Sequence, residues 1–162
     1  MVRRLISKKN ILNFLFVFFI FCTDRVSKYL IIQSSELSGE FNKPITSFLN
    51  FNVVWNDGIA FGLLSFQENI YYNILTTIII IITLIILWLV QKSQGLEKIS
   101  FLMIIGGSLG NIFGRLYYSS VLDFIDININ GFHWFIFNVA DIFISLGVLL
   151  LIYIEIFLKS EK

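Results

Sequence analysis

IYYNILTTIIIIITLIILWLV, residues 70–90, runs for 21 positions without a charged side chain. A helix needs about 20 apolar residues to cross roughly 30 Å of hydrocarbon, so this run predicts a membrane-spanning helix. Three further apolar stretches flank it. One covers 11–32 and is interrupted by Asp24, Arg25 and Lys28; another covers 99–117 and holds several glycines and Arg115; the last covers 135–158. The composition agrees. Of 162 residues, 57% are hydrophobic, 14% are charged and one is proline, which is far more apolar than an ordinary soluble domain. In water such a surface would aggregate. The expected fold class is mainly α and integral to a membrane, with the whole chain, 1–162, forming one domain.

Basic residues orient the four predicted spans. Arg3, Arg4, Lys8 and Lys9 precede the first, Lys92 and Lys98 separate the second from the third, and Lys159 and Lys162 follow the fourth. The two longer loops, 33–69 and 118–134, hold only Lys43. Basic loops stay on the cytoplasmic side, so both termini are expected there and both long loops outside. The first stretch has a basic start, but no small-x-small cleavage site follows it, and Cys22 comes after the bulky Phe19-Ile20-Phe21. It is therefore expected to stay as a membrane helix rather than act as a cleaved leader. Within the first outer loop, Leu49, Phe51, Val53 and Trp55 alternate as in a strand, with Asn56-Asp57-Gly58 as the turn after it. Residues 63–72 suggest a short interfacial helix.

Several function classes are excluded. Net charge is +1, so no basic excess points to nucleic acid. One cysteine, Cys22, and one histidine, His133, leave no ordinary zinc ligand set and no internal disulfide. No metal or other cofactor is expected.

The polar residues inside the apolar stretches converge on one level. With a rise of about 1.5 Å per residue, Asp24 and Lys28 lie about 20–25 Å along the first span, and Asn111 and Arg115 about 18–24 Å up the third. Asn138 and Asp141 fall in the first two turns of the fourth, and Asp123 just past the third. Ionisable groups in a membrane are costly and point to function. Plainer readings exist for some of them. Asp24 and Lys28 have the i, i+4 spacing of a self-neutralising pair. Gly106, Gly110 and Gly114 follow the small-xxx-small pattern of close helix packing. Arg115 could snorkel, and Asn56 with Gly58 could be an ordinary turn. Asp123 and Asp141, each set among apolar neighbours, are harder to explain away. Two carboxyls held close share a proton, so that one activates water and the other protonates a carbonyl. From pattern alone, either Asp123 or Asp126 could partner Asp141. A proton-relaying transporter would place its acids nearer the midplane, and a scaffold built on the glycine stripe would not need them.

Over nearly its whole length the chain resembles the lipoprotein signal peptidases (type II), bacterial membrane aspartyl proteases. Asp24-Arg25-Val26-Ser27-Lys28 resembles their D-x-x-S-K, and Asn56-Asp57-Gly58-Ile59-Ala60-Phe61 their N-x-G-x-A-F. Gly106-Gly107-Ser108-Leu109-Gly110-Asn111 with Arg115 resembles G-G-x-x-G-N-x-x-D-R. Val121-Leu122-Asp123-Phe124-Ile125 and Phe137-Asn138-Val139-Ala140-Asp141 resemble the two motifs that carry the catalytic aspartates.

The resemblance implies the pair Asp123 and Asp141. It implies Asn56, Gly58, Asn111, Arg115 and Asn138 as residues lining the site, Asp24 and Lys28 as supports of the first helix, and a small β-cradle in the outer loop. It implies cleavage of a prolipoprotein before a diacylglyceryl-cysteine, at the outer face of the bacterial inner membrane, by a multi-pass monomer whose partners are that substrate and membrane lipids. Gly114 departs from the pattern by standing where an Asp precedes the Arg. Arg115 is expected to lack a neighbouring acid there, and the helices to pack more closely.

Overall fold

The computed structural model describes residues 8–39, 42–58, 69–129, 132–133 and 135–158. The chain forms α1 (Lys8–Ser38), β1 (Asn42–Pro44), β2 (Leu49–Asn56), α2 (Asn69–Lys92), α3 (Gly95–Tyr118), β3 (Val121–Ile129), β4 (Phe132–His133) and α4 (Val139–Tyr153). A π-helical turn, Ile154–Leu158, closes α4. Among the described residues, three helical segments are long and apolar enough to cross a membrane: Ile70–Lys92, Gly95–Tyr118 and Val139–Leu158. The 31-residue α1 carries Asp24, Arg25 and Lys28 in its C-terminal half. α2 is apolar on every face and leaves Ile74, Ile78, Ile81, Ile85 and Trp88 exposed, a surface that only lipid would cover at low cost.

The centre is α3, which packs against α1, α2 and α4. Missing side chains permit this. A Cβ at Gly106 would lie 2.8 Å from Ile20 of α1, and one at Gly110 would lie 2.6 Å from Asp24 Oδ2. On the neighbouring face, a Cβ at Gly107 would run into the Ala140 carbonyl of α4, and α4 reciprocates with Gly147 against the Ser100 carbonyl at 2.7 Å. At the end of the bundle away from the sheet, Val90, Leu102 and Ile105 form a small core with Phe16 and Val17.

Antiparallel strands in the order β1-β2-β3-β4 make one sheet at the opposite end. β2 is the strand expected over Phe48 to Trp55, set one residue later. Its alternation breaks at an irregularity between Phe51 and Val54, and this leaves Val54 and Trp55 both exposed. β3 was expected to be loop. It pairs along β2 from Leu49↔Ile127 to Asn56↔Val121 and carries both Asp123 and Asp126.

The fourth apolar run becomes helix only at Val139, not at 135. Phe137 is held in extended form by a bridge to Ile125, and Asn138 then caps the helix. Of the predicted interfacial helix, residues 63–68 lie outside the described residues, as do Ile59, Ala60 and Phe61; Tyr71 and Tyr72 belong to α2.

Candidate functional site

Asparagines build this site, and each is oriented by a second partner. An amide must present oxygen to a donor and nitrogen to an acceptor. Asn56 Oδ1 accepts from the Gly58 N–H at 2.9 Å, so its Nδ2 turns to Asp123 Oδ2, also at 2.9 Å. Asn138 Oδ1 accepts from the Asp141 N–H at 3.1 Å, so its Nδ2 reaches Asp123 Oδ1 at 2.6 Å. Asn111 Oδ1 accepts from Lys28 Nζ at 3.0 Å, so its Nδ2 donates to Asp141 Oδ1 at 2.8 Å.

The local fold supplies these groups for ordinary reasons. Asn138 is the N-cap of α4 and Asp141 its third residue, in the reciprocal capping-box arrangement. Asp141 Oδ2 accepts from the Asn138 N–H at 3.1 Å. The side chain of Asn138 therefore stands between the two acids and touches the residues of both. Asp123, on β3 and almost fully buried, holds its proton more tightly than usual. Burial, and then the charge of Asp141, push its carboxyl up to about 6 against the pull of the Asn56 and Asn138 amides.

Behind the pair, Lys28 and Asp24 form a buried ion pair at 2.9 Å. Asp24 Oδ1 also accepts from the Ala140 N–H at 3.1 Å, which fixes the start of α4 against α1. The i, i+4 pairing is thus present, and it reaches the site through Asn111. Arg115 does not snorkel outward. Its Nη2 donates to the Gly58 carbonyl at 2.6 Å, its guanidinium lies 5.3 Å from the Tyr72 ring centre, and Nε and Nη1 are buried with no acceptor among the described residues. Asp24, Lys28, Asn56, Gly58, Asn111, Arg115, Asp123, Asn138 and Asp141 thus converge at the sheet end of the bundle.

Asp126 sits elsewhere. Fully buried, it accepts from Asn50 at 3.2 Å and Asn52 at 2.8 Å, and His133 Nδ1 lies 2.9 Å from its Oδ2. That cluster ties β3 to β2 and β4. Nothing in the sequence pattern points to Asn50 or Asn52.

Position 114 also differs from its expected role. A Cβ there would meet the Ser120 carbonyl at 3.1 Å and Val121 Cα at 3.7 Å, and would lie 3.9 Å from Arg25 Nη1. It packs on the chain entering β3 rather than on another helix, and the arginine it faces is Arg25, not Arg115. Successive helical residues point about 100° apart, so sequence adjacency misleads here.

Comparison with known proteins gives one consistent picture. A family model described as Signal peptidase (SPase) II matches residues 16–157. A protein named lipoprotein signal peptidase from Pelagibacter ubique (strain HTCC1062) is 41% identical over 158 residues, covering 97% of this chain and 95% of that protein. One of the same name from Francisella tularensis subsp. novicida (strain U112) is 36% identical over 153 residues, covering 92% and 94%. A solved structure described as a bacterial membrane enzyme, obtained by the in meso method at 2.3 Å resolution, superposes with a TM-score of 0.71 at 29% identity, over 93% of this chain and 89% of that one.

Proposed function

The chain belongs to the signal peptidase II family, and we propose that it works there as an aspartyl endopeptidase that removes the signal peptide from diacylglyceryl-modified prolipoproteins, cutting before the lipidated cysteine. The observation that carries this reading is Asn138, whose one side chain bonds Asp123 and the backbone of Asp141 together.

The two acids have different surroundings, and that suggests their roles. Asp141 stands at a helix N-terminus, where negative charge is favoured, and its asparagine is backed by the Lys28 cation. Asp123 is served by asparagines that backbone N–H groups alone orient. Asp141 is then the base and Asp123 the acid. Asp141 takes a proton from water as the oxygen attacks the scissile carbonyl carbon, and Asp123 gives its proton to the carbonyl oxygen. Asp141 next passes its proton to the departing nitrogen as the C–N bond breaks. Asp123 recovers one from the tetrahedral hydroxyl, which restores the starting state. Arg115 Nε and Nη1, which have no acceptor among the described residues, are suited to substrate carbonyls beside Gly58. The reaction needs no metal or organic cofactor.

In the same reading α1 is a fourth span, and residues 1–162 form one membrane domain that acts as a monomer. Lys8, Lys92 and Lys98 mark the cytoplasmic end, and the acids lie near the outer face of a bacterial inner membrane. This depth suits a substrate whose signal helix and lipid both reside in the bilayer. It also sets the reading apart from a transporter with acids at the midplane.

Incubating the purified protein with a lipidated prolipoprotein, wild type beside Asp141→Asn, tests the proposal. Wild type should release the signal peptide and the variant should not. Equal cleavage by both would end the aspartyl reading, and cleavage of the unlipidated precursor at the same rate would end the substrate assignment.

A further inference from the structure

Arg25 is a cation beside the site with no carboxylate partner among the described residues. Arg25 donates a single long bond, Nη1 to the Gly110 carbonyl at 3.4 Å, and its guanidinium lies 4.8 Å from the ring centre of Phe113 and 5.9 Å from that of Tyr118. Among the described residues no carboxylate pairs with it, whereas Lys28 is paired with Asp24. The glycine at 114 is part of the cause, since any side chain there would begin 3.9 Å from Arg25 Nη1.

Directly inward of this guanidinium runs an apolar groove of about 370 Å³ between α1 and α3, lined by Phe14, Phe18 and Phe21 on one side and Leu109, Phe113 and Leu116 on the other. Phe113 belongs to both features, as a wall of the groove and the platform of the arginine. Tyr118 packs at a tilt against Trp55, ring centres 5.5 Å apart, which sets aromatic rings around the mouth as at a headgroup boundary. An arginine fork has five N–H donors and matches phosphate oxygens in pairs. At a membrane edge, an unneutralised fork above a chain-lined trough is complementary to an anion that carries a hydrocarbon tail.

We propose that this groove binds a membrane glycerophospholipid, with its phosphate on Arg25 and one acyl chain between α1 and α3. The site is separate from the asparagine-held acids and does not depend on cleavage.

Titration of the intact protein in detergent, read by native mass spectrometry, tests it with three probes: phosphatidylglycerol, a diacylglycerol with the same chains, and soluble glycerophosphate. Wild type should retain phosphatidylglycerol and discriminate against both fragments. Arg25→Gln should weaken retention about fivefold, roughly what one arginine contributes beside a lipid surface, and Arg25→Lys should weaken it less. Gly114→Asp, which puts a carboxylate beside Nη1, should act like Arg25→Gln. Leu109→Trp, which fills the groove while sparing the cation, should also reduce retention. Equal binding of diacylglycerol, or no effect of Arg25→Gln and Gly114→Asp, would overturn the proposal. So would soluble glycerophosphate binding as well as the lipid. If Arg25→Gln fails to fold, the other two variants decide the matter.

Discussion

Asn138 donates to Asp123 across a strand–helix junction, at 2.6 Å, and the same side chain caps α4 by accepting from Asp141. The two tasks can be separated. Asn138→Ser keeps a capping oxygen but cannot reach Asp123, whereas Asn138→Ala loses both. Ala should cost about 1 kcal/mol of stability and Ser much less, read by thermal melting in detergent. Both should slow cleavage by roughly 10²-fold or more. A Ser variant with wild-type kcat would remove Asn138 from the mechanism.

Asp123 and Asp126 lie three residues apart on one strand and should respond in opposite ways. Asp126→Asn turns an acceptor of three donors into a mixed group, which should cost about 1–3 kcal/mol while leaving cleavage within a few fold. Asp123→Asn should leave the fold intact and reduce cleavage by about 10³-fold or more. Loss of activity in Asp126→Asn at a temperature where it is folded would reverse the assignment.

The raised value of Asp123 has a sign that can be measured. Its folded value, about 6, exceeds the ordinary 3.8. The protonated form is therefore favoured by the fold. Its stabilising contribution is complete below about pH 4 and is lost as pH rises through about 6. Melting curves should show stability falling across that window in wild type and a flatter course in Asp123→Asn. An acid that must begin protonated also predicts that kcat/KM declines above about 6 in the free enzyme.

Lys28 and Asp24 are nearly inaccessible to solvent, so removing one strands the other. Lys28→Met should cost about 3–5 kcal/mol, and combining it with Asp24→Asn should recover much of that loss. Melting temperatures of the two single variants and the double variant give the coupling. Additive effects would show that the pair carries no such penalty.

Close approach of α3 to α4 rests on two bare positions. Gly107→Val and Gly147→Val each insert atoms where a backbone carbonyl already lies and should destabilise by about 1–3 kcal/mol or more. Gly95 has open space around it, so Gly95→Asn, a residue that tolerates its φ of 57°, should be nearly neutral. Similar melting of all three would mean that the helices are held apart from each other by something else.

Much of this is legible in the sequence, and the reasons are physical. Membrane helices announce themselves because hydrocarbon demands long uninterrupted apolar runs, as in residues 70–90. Helical rise alone put Asp24, Asn111 and Asp141 at one level, and they do meet at one end of the bundle through Lys28. β3 does not read as a strand because its buried acids Asp123 and Asp126, three residues apart, fall on opposite faces and break the apolar pattern on both. The late start of α4 had a readable signal, since Asn138 and Asp141 have the spacing of a capping box. Asn50 and Asn52 offered none: they serve Asp126 from 76 and 74 positions away, and only the pairing of β2 with β3 reveals it.

The capping box at the head of α4 makes residue 141 serve two masters. Its carboxylate fastens the first helical turn through the Asn138 N–H, so alanine there would confuse a lost reaction with a loosened helix entry. Asparagine keeps an oxygen in place and is the cleaner probe. For the same reason, efforts to toughen this protein by redesigning that helix start would be paying in turnover for whatever they gained in heat resistance.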